Sequence, residues 1–339
     1  MQIKPGQHVS EELRQALSQP ALCALMTVAS ANGSPSPKAL AAIGAIRTHL
    51  LQSSIAIEEL PERPLEQIAK AIVDCDPDPH WRERILRGMT LVALFDGAPQ
   101  THVLDLLKRS ADLFGVDAQP VSTYQHWVHS EQGKIRHDLL RRGFIRDALS
   151  ASLRDGGFAM VTASLKVASG HQDLGLLQRY QTLRDYPDHS FGRAYADFIT
   201  RNQFNFPGDV GGPPPPVHRH DCCHVLGGYG TTAAEEGGVI GFQAGFERRD
   251  PFDVLMFVMA EFELGIGVSP FLPGAFGQID PDRLFAGIAH GSQVSTDLIR
   301  DIDPWDHFAD PLIVVRERFS IPPRGRNPDY PDLGSIEPC

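Results

Sequence analysis

Four consecutive prolines, Pro213 to Pro216, stand directly ahead of Val217-His218-Arg219-His220. A run of prolines fixes φ, removes backbone N–H donors and favours an extended polyproline II arm. Any helix that carries His220 must therefore begin after Pro216. Glycines at 227, 228 and 230 then break it, and Thr232 with Glu235 three residues later is the capping-box signature of a new helix. The stretch therefore predicts a short helix, a glycine turn and a returning helix.

That arrangement gathers chemistry. Each helical residue advances about 100°, so His220, His224 and Asp221 fall near 0°, 40° and 100° on one face. Two imidazoles at i and i+4 with a carboxylate between them can converge on one ion. Glu236 lies sixteen residues after His220, about 24 Å farther along an unbroken helix. The glycine turn brings it back beside the histidines. Glu235 is then the cap partner and Glu236 the free ligand. Cys222 and Cys223 point away from the ligand face, near 200° and 300°, and are expected to pack as small core residues. His218 reads as a loop residue or a partner of the ligands. Two imidazoles and two carboxylates suit a divalent cation such as Zn²⁺, Fe²⁺, Mn²⁺ or Co²⁺ and leave positions open for water or substrate. Zinc is the ion expected in the isolated protein.

The rest of the chain limits the setting. Its 339 residues suffice for two domains, and 42% hydrophobic with 22% charged residues is the composition of a globular protein. A formal net charge of -11 gives no electrostatic footprint for nucleic acid. Five cysteines at unrelated spacings and an N-terminus without an apolar signal core predict a reducing, cytoplasmic setting. The most apolar stretch, Phe252 to Val268, carries Glu261 and Glu263 and is short for a membrane span. Membrane contact is expected to be peripheral, on the inner face. A helix apolar nearly all round must be buried or cover a lipid, so this stretch is also the candidate wall for a lipid cavity. Glu261 and Glu263 are expected to face outward or to be paired.

Strand-like alternation is nowhere sustained, which predicts an all-α chain of two helical domains. Residues 1–120 form the first, 121–150 a linker or bridging helix with Arg141, Arg142 and Arg146 on a solvated face, 151–325 the second, and 326–339 a Pro- and Gly-containing tail. The first domain holds a faint internal repeat, Ala29-Ser30-Ala31-Asn32-Gly33 and Ala93-Leu94-Phe95-Asp96-Gly97, in which a helix ends at an Asx-Gly turn and another soon starts. This resembles the tellurite-resistance TerB-like helical domain, whose Asp-Gly turns can bind metal. With Asn32 in the first copy, and Gln100 and Thr101 in place of acids in the second, turn chemistry is the expected role here.

The pattern H-D-x-x-H-x(11)-E, at His220, Asp221, His224 and Glu236, resembles the metal motif of the coenzyme Q (ubiquinone) biosynthesis protein 4 family. Flanking segments agree. Tyr186 to Phe198 resembles its Pro-x-x-(Thr/Ser)-(Leu/Phe)-Gly-x-x-Tyr segment, and Asp310-Pro311-Leu312-Ile313-Val314-Val315-Arg316 its Pro-Leu-x-x-x-Arg signature. The likeness covers about half the chain. The cysteines inside the motif, the proline run and the N-terminal domain depart from it.

The resemblance implies metal-dependent oxidative decarboxylation of a polyprenylated hydroxybenzoate precursor, the carboxyl at ring carbon 1 becoming a hydroxyl, with the same four residues as catalytic and metal-ligating groups. It also implies assembly with other ubiquinone-biosynthesis proteins; self-association as a homo-oligomer stays open. The alternative is a non-catalytic scaffold that holds a prenyl lipid. A phosphohydrolase of the HD class, built on the His220-Asp221 pair, fits less well because it needs a further upstream His and a downstream Asp.

Overall fold

Side-chain caps and prolines set where the helices begin. In the computed structural model, which describes residues 10–75, 78–129, 172–213, 218–247, 251–266 and 276–324, Ser10, Ser36, Asp78, Asp173, Ser190, Thr232 and Asp280 occupy N-cap positions. Each accepts a backbone N–H two or three residues on, satisfying a donor the first turn leaves over. Pro37, Pro79 and Pro281 follow directly, where a missing N–H costs nothing.

The N-terminal half contains α1 (Glu11–Ala29), α2 (Pro37–Ala45), α3 (Leu65–Cys75), α4 (Pro79–Phe95), α5 (Thr101–Phe114) and α6 (Gln119–Val128). Helix α1 packs on α3 and α4, and α5 closes over the same pair. The C-terminal half contains α7 (Leu174–Gln181), α8 (Phe191–Arg201), α9 (His218–Gly227), α10 (Ala233–Phe246), α11 (Pro251–Val258), α12 (Pro281–Gly291) and α13 (Leu312–Arg318). No strand occurs among the described residues, whose β-type pairing is limited to two isolated bridges. The chain is all-α, and none of its described helices is long and apolar enough to cross a membrane.

Helices α10 and α12 are interlocked through glycine. A Cβ at Gly241 would overlap the Leu284 carbonyl, one at Gly287 the Gly238 carbonyl and one at Gly291 the Phe242 carbonyl. Small residues four apart let two backbones approach this closely, so side-chain-free stripes substitute for knobs and holes. Helix α2 lies against α12 as well. Lys38 meets Glu263 at 2.5 Å and His49 meets Asp282 at 2.7 Å, so polar contacts join the two halves. One apolar core runs through both. Most of the expected linker, residues 130–150, and the start of the second domain at 151 fall outside the described residues, as do Arg141, Arg142, Arg146, Pro214–Pro216 and the tail 326–339.

The apolar stretch is core. From α11 it continues into a wider π turn, Met259–Glu263, and Met256, Val258, Met259 and Ala260 are fully or almost fully buried by protein neighbours. Glu261 and Glu263 do not face outward: they are 0% and 6% exposed, the latter paired with Lys38 and accepting the Ile279 N–H. Gly267 and Val268 lie outside the described residues.

The two Asx-Gly turns of the N-terminal half sit side by side. Helix α1 ends before Asn32-Gly33 and α4 before Asp96-Gly97, with Gly33 and Gly97 at φ +109° and +129°. The Asp96 carboxylate accepts the Ser36 N–H at 2.8 Å and the Asn32 amide at 3.2 Å, bridging one turn to the other. Turn chemistry thus occupies the acid.

Candidate metal centre

Helix α9 is anchored at both ends by arginines. Arg219 donates to the Ile299 carbonyl at 2.9 Å and to the Ile302 carbonyl. Arg316, 6% exposed, donates to the Val225 and Leu226 carbonyls at 2.9 Å each, covering acceptors the last helical turn leaves over. Burial brings the Arg316 guanidinium down to about 10, still charged at neutral pH. Cys222 and Cys223 are buried in the core, and burial pushes both thiols up, as for inert structural cysteines. His218 is not on a loop; it is buried in the first turn of α9, edge-on to Tyr180.

The two flanking segments pack on each other and then on α9. Phe191 N–H reaches the Asp310 carbonyl and Gly192 N–H the Phe308 carbonyl, both at 2.9 Å, while Leu312 N–H reaches His189 O at 2.8 Å. Gly192 is needed at this crossing, since a Cβ would stand 3.0 Å from Phe308 Cβ and from its carbonyl oxygen. Phe198 of α8 stacks on the His224 ring, centroids 5.2 Å apart.

The turn between α9 and α10 follows from its glycines. Gly228 has φ +73°, and Gly227 and Gly238 leave room for the Tyr229 ring, which a Cβ at either would meet within 3 Å. Thr232 caps α10, and Glu235 is its N3 residue. The Glu235 carboxylate accepts the Gly230 N–H at 3.0 Å, further out in the turn than the cap N–H that a capping box uses.

This hairpin brings His220, His224 and Glu236 together. Their candidate ligand atoms lie within 4.8 Å of one another, and no other such group of three occurs among the described residues. His220 Nε2 and His224 Nε2 are 3.2 Å apart, and the Glu236 carboxylate oxygens stand 3.4 Å and 3.5 Å from them. Ligands about 2.0–2.1 Å from a tetrahedral ion are separated by about 3.3 Å, so the spacing fits a small divalent cation. His224 is 2% exposed, whereas His220 and Glu236 keep 25% and 22% of their side chains exposed, which leaves one side of the centre accessible.

Hydrogen bonds behind the rings orient the donors. His224 Nδ1 lies 2.9 Å from the Gly230 carbonyl, an acceptor only, so the proton resides on Nδ1 and the Nε2 lone pair points inward. Gln243 presents Oε1 to His220 Nδ1 at 3.3 Å and does the same for that ring. Two lone pairs and a carboxylate that face one another repel unless a cation lies between them. Burial alone would lower the His220 pKa, but the Glu236 hydrogen bond and charge, with Asp221, raise it. Burial likewise opposes the Glu236 charge, and the two histidines outweigh it, holding the carboxyl well below its usual range. A proton is therefore the natural competitor of a metal ion.

Asp221 stands next to this group and outside it. It is 9% exposed, and burial pushes its carboxyl up to about 6 against the pull of His220 and His224. A buried carboxylate so close to the two imidazoles suits a further ligand or a proton carrier.

Gln243 escaped the sequence reading, although it lies seven residues after Glu236 and so on the same face of α10. The anchoring role of Arg219 carried no local signal. Compared with family models, with curated proteins and with solved structures, the chain matches none.

Proposed function

We propose that the chain is a divalent-metal enzyme of ubiquinone biosynthesis, acting by oxidative decarboxylation on a polyprenylated hydroxybenzoate precursor. The observation that carries the metal half of this reading is the convergence of His220 Nε2, His224 Nε2 and the Glu236 carboxylate within 3.2–3.5 Å, with both Nδ1 atoms already committed. The substrate half rests on the resemblance of the motif and its two flanking segments to the coenzyme Q biosynthesis protein 4 family.

His220, His224 and Glu236 would hold the ion, with Asp221 as the fourth member. A bound cation supplies Lewis acidity toward a substrate carboxylate or phenolate. Substrate would approach past His220 and Glu236, because Phe198 closes the other side over His224. The Asp221 carboxyl, pushed up to about 6 by burial, would give up its proton on joining the ligands. Exchanging a carboxyl for a hydroxyl is a two-electron oxidation and calls for an oxidant such as dioxygen. The N-terminal half would dock partner proteins of the same pathway or a membrane surface.

The test is turnover. The full chain loaded with one divalent ion, given a polyprenylated 4-hydroxybenzoate-type acid and dioxygen, should release carbon dioxide and yield the ring-hydroxylated product by mass spectrometry. Loaded protein that leaves the acid unchanged would overturn the enzymatic reading.

A further inference from the structure

Glu235 is not one of the grouped ligands, yet it is wholly buried and carries more charged contacts than a cap residue needs. Arg283, from α12, forms an ion pair with it. Arg324 grips it with both guanidinium nitrogens, at 2.6 Å and 3.1 Å, and also donates to the Gly228 carbonyl at 3.2 Å. The same guanidinium lies 4.2 Å over the Tyr229 ring. Tyr229 in turn donates to His290 Nδ1 at 2.9 Å, and His290 Nε2–H donates to the Pro322 carbonyl at 2.9 Å. The segment from Ile321 to Arg324 is thereby tied across the turn at two points, a backbone carbonyl and a bidentate arginine.

The contacts run in one direction. Both arginines fix the Glu235 carboxylate; its Oε2 accepts the Gly230 N–H at 3.0 Å; the carbonyl of Gly230 accepts His224 Nδ1–H at 2.9 Å. A single residue, Gly230, carries the orientation from a buried carboxylate to a ligand ring. Residues that orient a metal-binding histidine from behind typically alter affinity 10- to 100-fold.

We infer that Glu235 is a positioning residue for the metal centre, held by Arg283 and Arg324, and that the Ile321–Arg324 segment is a strap whose attachment sets the tautomer and direction of His224. This rests on the metal-centre reading of His220, His224 and Glu236. Charge at Glu235 keeps both arginines in place, and the strap keeps the turn from relaxing away from His224.

Co²⁺ binding to the full chain tests it. Wild type should take up one Co²⁺ per chain with a visible ligand-field spectrum. Arg324→Gln and Glu235→Gln should each bind about tenfold more weakly, with an altered spectrum and unchanged helical content. In the metal-free protein, the His224 imidazole should show Nδ1–H in ¹⁵N-edited spectra of wild type and a mixture of tautomers in Arg324→Gln. Arg318→Gln, which removes the exposed contacts with Asp310 and His307, should behave as wild type. If Glu235→Gln fails to fold, Arg324→Gln decides alone. Variants that match wild type in affinity, spectrum and tautomer overturn the positioning role and leave the metal centre standing. Wild type that takes up no Co²⁺ overturns both.

Discussion

Each half of the chain turns on glycine, and the two turns leave their polar groups in opposite states. In the N-terminal half, the Asp96 carboxylate is taken up by the Ser36 N–H and the Asn32 amide, so nothing in that pair of turns points at an absent partner. At Gly227–Gly230 the protein instead saturates the back of each imidazole and leaves both Nε2 atoms facing each other and Glu236. An acid near a glycine turn is thus no evidence of a metal site by itself. What distinguishes the two is whether the protein's own donors exhaust the group.

The contrast breaks most severely if α10 moves. Gly291→Val sets a branched side chain against the Phe242 carbonyl and should cost about 3 kcal/mol or more, as overpacking does at its worst. Thermal unfolding should drop steeply, and an unchanged midpoint would mean that the α10–α12 interlock supports nothing. Arg316→Met comes next. It strips the Val225 and Leu226 carbonyls of their donor and should cost about 2 kcal/mol in denaturant unfolding, with weaker Co²⁺ binding because the last turn of α9 loosens. Asp96→Ala should cost about 1 kcal/mol and leave Co²⁺ affinity as it was. Lost affinity there would erase the distinction between the turns.

The smallest effect is one of pH. Burial, outweighing the Pro322 hydrogen bond, lowers the His290 pKa below the ordinary value of about 6.5. The fold therefore favours the neutral ring, whose Nδ1 accepts the Tyr229 hydroxyl proton. Its contribution is complete above about pH 6.5 and is lost as pH falls through the folded value. His290→Gln should differ more from wild type at pH 7.5 than at pH 5 in denaturant midpoints. A difference that grows toward acid would reverse the sign.

Helix type and the α9–turn–α10 hairpin were legible because they depend on local chemistry: prolines before His218, glycines at 227, 228 and 230, and Thr232 as a cap. His220, His224 and Glu236 follow from helical spacing once the turn is accepted. Asp221, one residue along from His220, sits beside the group because a 100° step carries its carboxylate away from the common point. Glu235 was legible as a cap residue only. Its use as the anchor for Arg283 and Arg324 depends on residues 48 and 89 positions away in sequence, which no local pattern reports. The glycine stripes of α10 and α12 likewise gain meaning only when the two helices are seen together.

Metal uptake by the full chain and two variants bears most directly on the centre. Wild type, stripped with chelator and titrated with Co²⁺, should bind one ion per chain; His224→Ala should bind none, and Cys222→Ala should match wild type. Retention of the ion by His224→Ala, with its loss from Cys222→Ala, would contradict the assignment of His220, His224 and Glu236 as the ligands.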